Sequence, residues 1–140
     1  MIGLPSSTTF LALMSLAMSD SAPDPAPQAE RGEVLYRQYC GNCHAPDRNK
    51  YGPMHRGVFG RAAGAVPDYP YSDALAEAAI VWNAETLDRW LADPTAMIPG
   101  TRMRFRLDDA DARRSIIVYL ASLSDADHLV GPQAAQQGAQ

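Results

Sequence analysis

The run Cys40-Gly41-Asn42-Cys43-His44 constrains this chain more than any other feature, and its two cysteines are the only ones in 140 residues. On a short helical segment, C-x-x-C puts both thiols on one side. There each thiol can form a thioether to a haem vinyl, and the adjacent imidazole reaches the iron axially. With no further cysteine, a second site of this kind, an all-cysteine iron–sulfur cluster and a four-cysteine zinc site are all excluded.

A bare C-x-x-C also serves thioredoxin-like redox pairs, structural disulfides and halves of zinc sites. The thioredoxin reading requires a strand before the motif and a βαβ context. What precedes it is Arg31-Gly-Glu-Val-Leu-Tyr-Arg-Gln-Tyr39, a helical pattern. Zinc requires two more ligands from His55, His128 or carboxylates, and these have no finger-like spacing.

The chain downstream resembles the class I cytochrome c family over about residues 30–123. The resemblance rests on Gly52-Pro53, Gly57-Val-Phe-Gly-Arg61, Ala63-Gly64, Tyr69-Pro-Tyr71-Ser-Asp73-Ala74 and Val81-Trp82. It continues through Leu87-Asp-Arg-Trp90-Leu91-Ala-Asp93-Pro94, Ile98-Pro99-Gly100-Thr101-Arg102-Met103 and Ile116-Ile-Val-Tyr119-Leu120, in the family's order. It implies an all-α, class I cytochrome c fold: three main helices with loops wrapped around one covalently bound haem c. A hydrophobic fraction of 46% and a charged fraction of 20% suit one small domain. A large flat apolar ligand supplies core that about a hundred residues bury only modestly.

The expected helices span about 30–41, 84–93 and 108–123. In the first, Val34, Leu35 and Tyr39 are expected near a haem wall, with Gly32 and Tyr36 on another face. The second has Asn83 as N-cap, Thr86 in its first turn and a stop before Pro94. The third has Asp108, Asp109 and Asp111 in its first turn, where the helix dipole favours acids, and a stripe of Ile116, Tyr119, Leu120 and Leu123. The resemblance implies that the first and last helices cross with Gly32 at the contact, near Tyr36, Ile116 and Tyr119.

Candidates for the sixth iron ligand are Met54, Met97, Met103, His55 and His128. His55 follows His44 by only eleven residues and is expected to stay on the proximal side. The resemblance selects Met103 and implies that the Pro53 carbonyl accepts the Nδ1 proton of His44. It likewise implies that Arg61, Tyr71 and Trp82 hold the haem propionates and that Thr101 places its hydroxyl near the inner one. Trp90 stands where the family usually has a tyrosine near the methionine sulfur, and Leu75 where many members have asparagine. Both departures remove polar groups from the distal side.

His/Met ligation leaves the iron no open position, which suits a one-electron carrier rather than an enzyme. The competing class is a haem subunit or sensor with peroxidase-like or gas-binding activity, but no distal acid–base pair accompanies an open iron. Expected partners are redox proteins such as a respiratory complex, oxidase or dehydrogenase. Nucleic acid is not expected, membrane contact comes only through partners, and the protein is expected to be monomeric. Net charge is −4, while Arg102, Arg104 and Arg106 flank Met103 and can form a local positive ring.

Phe10 to Met18 is a short apolar run, and Ala17 and Ser19 suit the −3 and −1 positions of a cleavage site, although no Lys or Arg precedes it. Residues 1–19 are therefore expected to be a signal peptide. Residues 20–29 are expected to be an extended Pro-rich linker, 30–124 the cytochrome c domain and 125–140 a disordered tail. Since bacteria attach haem to C-x-x-C-H outside the cytoplasm, the expected location is the periplasm.

Overall fold

The computed structural model describes residues 25–129. The expected signal peptide 1–19, the first half of the expected linker and the tail beyond Leu129 lie outside the described residues. Among the described residues five helices follow one another: α1 (Pro25–Tyr39), α2 (Asp73–Ala76), α3 (Ala84–Ala92), α4 (Pro94–Met97) and α5 (Ala110–Leu129). Three are long and two are single turns. Strands are absent among the described residues, and one isolated antiparallel bridge joins Ala62 to Val81.

Helix α1 starts at Pro25, not near residue 30, so Pro25–Gln28 are helical rather than extended. Pro25 and Pro27 occupy the first turn of the described helix, where an N–H has no partner within the helix and its absence costs little. At the other end, Cys40 N and Gly41 N both donate to the Tyr36 carbonyl at 2.8 and 3.0 Å, which closes the helix immediately before the cysteine motif.

The ends of α3 follow the sequence closely. The Asn83 side chain accepts from Thr86 N at 2.9 Å while the Thr86 hydroxyl accepts from Asn83 N at 2.8 Å, a reciprocal cap. Asp93 ends α3 and caps α4, its carboxylate accepting from Ala96 N at 3.0 Å ahead of Pro94 at N1. Helix α5 starts two residues later than expected. Asp109 precedes it and accepts from the Asp111 and Ala112 amides at 2.9 and 3.0 Å. It also runs six residues further, to Leu129, since the first helix breakers after Leu123 are Gly131 and Pro132.

The three long helices make the core. Ile116 is fully buried on α5, with Ala112, Ile117 and Leu120 beside it, and Leu87, Trp90 and Leu91 pack from α3. Arg113 ties α5 to α3 through a 2.7 Å ion pair with Asp88 and bonds the Leu107 carbonyl, so the α3–α5 junction is held by charge as well as packing. From α1, Tyr36 is buried and Leu35 and Tyr39 are partly buried against this cluster. Of the three α1 residues expected near a haem wall, only Tyr39 lines the cavity: Leu35 packs against the core instead, and Val34 is 61% exposed. Gly32 and Tyr36 occupy the packed face of α1, which leaves Val34 turned outward.

Candidate functional site

The cysteine motif forms one tight turn directly after α1. Cys43 N and His44 N donate to the Cys40 carbonyl at 3.0 and 2.8 Å, so the two cysteines and the histidine are presented together. Cys40 is buried and Cys43 exposed. Burial, reinforced by the neighbouring Cys43, pushes the Cys40 thiol up to about 12.

His44 is locked by the loop that follows. Its Nδ1 lies 2.8 Å from the Pro53 carbonyl, and because a carbonyl only accepts, Nδ1 carries the proton. The Nε2 lone pair is therefore the one available to a metal. Burial lowers the His44 pKa, the Pro53 bond opposes that, and the Lys50 charge adds to the lowering. Gly52 is required here: a Cβ on it would fall 2.0 Å from the His44 Cε1. Gly52 N is itself fixed by the Cys43 carbonyl at 2.8 Å.

His44 opens into a cavity of about 500 Å³, large enough for a substantial organic group. Cys40, Cys43, Arg61, Tyr71, Trp82, Thr101 and Met103 line it together with Pro53. Every residue expected at the site therefore reaches one cavity. Of the sixth-ligand candidates with described side chains, Met103 and His55 line it, while Met54 and Met97 do not. Met97 instead packs against the hydrophobic core.

The Met103 segment is aimed by a turn. Thr101 N donates to the Ile98 carbonyl at 3.2 Å, with Pro99 and Gly100 between them and Gly100 at φ 93°. Pro followed by a positive-φ glycine is the type II arrangement, and it leads the chain from α4 back along the cavity. Opposite chemistry appears at Arg61, whose two terminal nitrogens donate to the Arg56 and Met54 carbonyls, each at 2.9 Å. Its Nε and the Thr101 Oγ1 are buried with no partner among the described residues. A buried guanidinium N–H and a buried hydroxyl left open beside a cavity are the donors an anionic group would satisfy.

A family model for cytochrome c matches residues 29–124. The chain belongs to the cytochrome c family. It is 42% identical over 100 residues to cytochrome c of Euglena viridis, covering 69% of this chain and 98% of that one. It is 37% identical over 112 residues to cytochrome c2 of Rhodopseudomonas palustris, covering 68% and 97%. Among solved structures, cytochrome cH from Methylobacterium extorquens superposes with a TM-score of 0.64 at 36% identity, covering 67% of this chain and 97% of that one.

As a cytochrome c, the protein carries one covalently bound haem c and is a mono-haem electron carrier with an all-α class I fold. The residues present fit that group. Two thiols share one turn, and an imidazole has its distal nitrogen free. The orphaned Arg61 and Thr101 donors match the negative charge of propionates. The Tyr71 hydroxyl accepts from Val66 N at 3.3 Å and retains its own proton to donate. Trp82 is buried and meets Trp90 at a tilt of 56° with ring centroids 5.3 Å apart, so the position usually filled by tyrosine joins an aromatic wall.

Two features go beyond the expected site. The ring of His55 stacks on that of His44, with centroids 4.1 Å apart and an interplanar angle of 19°. Burial holds the His55 pKa well below its ordinary value, and the charges of His44 and Arg61 add to this. The arginine trio is also divided: Arg106 pairs with Asp93 at 3.6 Å, whereas Arg102 and Arg104 line the cavity mouth and the Arg102 guanidinium donates to the Pro70 carbonyl. Among the described residues, no helix is long and apolar enough to cross a membrane, and no cluster of three His, Cys, Asp or Glu side chains is placed to hold a metal ion.

Proposed function

We propose that this cytochrome c is a periplasmic one-electron carrier whose haem is bound through Cys40 and Cys43 and ligated axially by His44 and Met103. The observation that carries the proposal is the His44 tautomer. The Pro53 carbonyl holds Nδ1–H at 2.8 Å and so reserves Nε2 for the iron, within a cavity that Met103 also lines.

When bound there, the haem supplies an Fe(III)/Fe(II) couple. The chain's own residues do the rest. Arg61 and Thr101 offer their unpartnered N–H and O–H to the propionates, joined by Tyr71 and Trp82. Trp82, Trp90, Leu75 and Leu91 wall the cavity and keep water from it, which limits solvent reorganisation during electron transfer. The Pro53 carbonyl strengthens His44 as a donor, and a thioether from Met103 favours Fe(II) and raises the potential. With both axial positions filled by the protein, a gas-binding or peroxidase-like role has no open coordination site to use.

The N-terminal sequence supports the periplasmic part of this reading, because Phe10–Met18 is a short apolar run followed by small residues suited to cleavage. Donor and acceptor are redox proteins reaching the haem edge beside Arg102 and Arg104. Intact mass of the mature protein tests cleavage and covalent haem together. Cys40→Ala with Cys43→Ala should yield protein that loses haem to acidified organic solvent. In the oxidised wild type, the far-red absorbance band of a methionine–Fe(III) bond should be present. Its absence would overturn the His/Met assignment.

A further inference from the structure

Besides His44, the cavity wall carries a second imidazole, His55, to which the site described above gives no part. Backbone bonds fix its position: His55 N donates to the Ala45 carbonyl at 3.1 Å and Arg56 N to the Pro46 carbonyl at 2.8 Å, so the segment after Pro53 is laced to the segment after His44. The His55 Nδ1 lies 3.1 Å from the hydroxyl of Tyr36, a residue only 2% exposed on α1. The two rings meet edge to face with centroids 5.6 Å apart. The other contact of His55 is the nearly parallel stack on His44 at 4.1 Å. Tyr36 is in turn wedged between α1 and α5 by Tyr119, with centroids 5.3 Å apart.

We propose that His55 is a positioning residue for the axial imidazole: anchored to α1 through the Tyr36 hydroxyl, its ring face fixes the plane of the His44 ring. The inference rests on His44 being an iron ligand. The Pro53 bond constrains one nitrogen of His44 and the backbone of Gly52 closes against the ring, but with no side chain on Gly52 neither supplies a flat face that stops the ring rocking about the axis through that bond. A flat partner stacked at 4.1 Å removes that freedom, because rocking drives one ring edge into the neighbouring face. An aliphatic side chain at 55 fills space equally well but presents no plane and cannot bond Tyr36. The tether also gives the part-buried Nδ1 of this ring a partner.

The orientation of an axial imidazole sets how unpaired spin spreads over the four haem methyl groups in the ferric state. Proton NMR of the ferric holoprotein therefore reads it directly. His55→Leu should re-space and reorder the hyperfine-shifted methyl resonances while the far-red methionine band persists. Tyr36→Phe, which deletes only the hydroxyl, should shift the same resonances in the same sense by a smaller amount. The double variant should match His55→Leu alone, because the tether acts only through the histidine. A side chain that merely fills space would lower the melting temperature and leave the methyl pattern in place. A wild-type methyl pattern in both single variants would overturn the proposal, and if His55→Leu fails to mature, an unchanged pattern in Tyr36→Phe does so alone. The ligand reading is checked in the same wild-type sample: His44 ring protons without the large shifts of an iron-bound imidazole would overturn that reading, whatever His55 does.

Discussion

Gly32 of α1 lies against Ser115 of α5 so closely that a Cβ on Gly32 would stand 2.0 Å from the Ser115 carbonyl oxygen and 2.8 Å from the Tyr119 Cβ. The obstructing atoms include backbone, so neither helix can yield by a rotamer change. Gly32→Ala should therefore force α1 and α5 apart and destabilise the holoprotein by about 1–3 kcal/mol. In thermal melting this is a drop of roughly 4–8 °C per kcal/mol for a domain of this size. A variant that melts with the wild type would mean the helices separate at no cost.

Much of this arrangement is legible in the sequence, for reasons that are local. C-x-x-C-H encodes its geometry in five residues. Asn83, Thr86 and Pro94 mark the ends of α3 by caps that form within one turn, and the closing stripe repeats over consecutive turns of one helix. What escaped is tertiary or competitive. Val34 is apolar yet exposed, because Gly32 and Tyr36 decide which face of α1 is packed. Pro25 and Pro27 read as a linker, although prolines suit a first helical turn equally well. The His44–His55 stack joins two loop residues with no shared periodicity, and only the lacing of two loop segments brings the rings together.

The cradle under His44 makes a second expectation. Gly52→Ala would place a methyl among the His44 ring atoms, 2.0 Å from Cε1 and 2.4 Å from Nδ1. The ring must tilt, and the 2.8 Å bond to the Pro53 carbonyl must lengthen. Weaker donation from the imidazole should follow, seen as a raised midpoint potential in redox titration. A potential equal to that of the wild type would show that the loop, not the ring, absorbs the methyl.

Ligand exchange at the other axial position has a signed outcome. Met103→His substitutes imidazole, which favours Fe(III), for a thioether, which favours Fe(II), so the midpoint potential should fall by a large step within the roughly 0.8 V that axial ligands span. Redox titration of that variant beside Met54→Leu is the check. Met54 lies off the cavity, with its carbonyl accepting from Arg61, and its side-chain change should leave the potential in place.

Acid stability should report the caps. Two backbone amides, Ala112 N–H foremost, hold the Asp109 carboxyl below the ordinary carboxylate range, partly opposed by desolvation. A lowered folded-state pKa means the unfolded chain takes the proton first. The contribution is thus complete above the ordinary carboxylate pKa and is lost as pH falls through the lower, folded value. In denaturant titrations, Asp109→Ala should be less stable than the wild type at neutral pH, and the two should converge once the pH has fallen below the lowered, folded value. A gap that persists unchanged into strong acid would mean that the charge of Asp109 contributes nothing to the cap.

Docking follows from how the arginines are divided. Arg106 is partly neutralised by Asp93 at 3.6 Å, which leaves Arg102 and Arg104 as the cations at the cavity mouth of a chain with net charge −4. A local field at the exposed edge governs encounter more than net charge does, so these two should steer the protein onto an acidic partner surface. Reversing both to Glu should slow electron transfer to such a partner and remove its decline with added salt, while the optical spectrum stays constant. Arg106→Glu alone should have the smaller effect on steering, because Asp93 already offsets its charge. The screening length is about 8 Å near physiological salt, so stopped-flow rates across an ionic-strength series separate steering from contact. If the wild-type rate does not depend on salt and the double reversal leaves it within about a factor of two, the partner docks through apolar contacts instead. Phe105, exposed between Arg104 and Arg106 in sequence and partly covered by Tyr39, is then the side chain whose loss should raise koff.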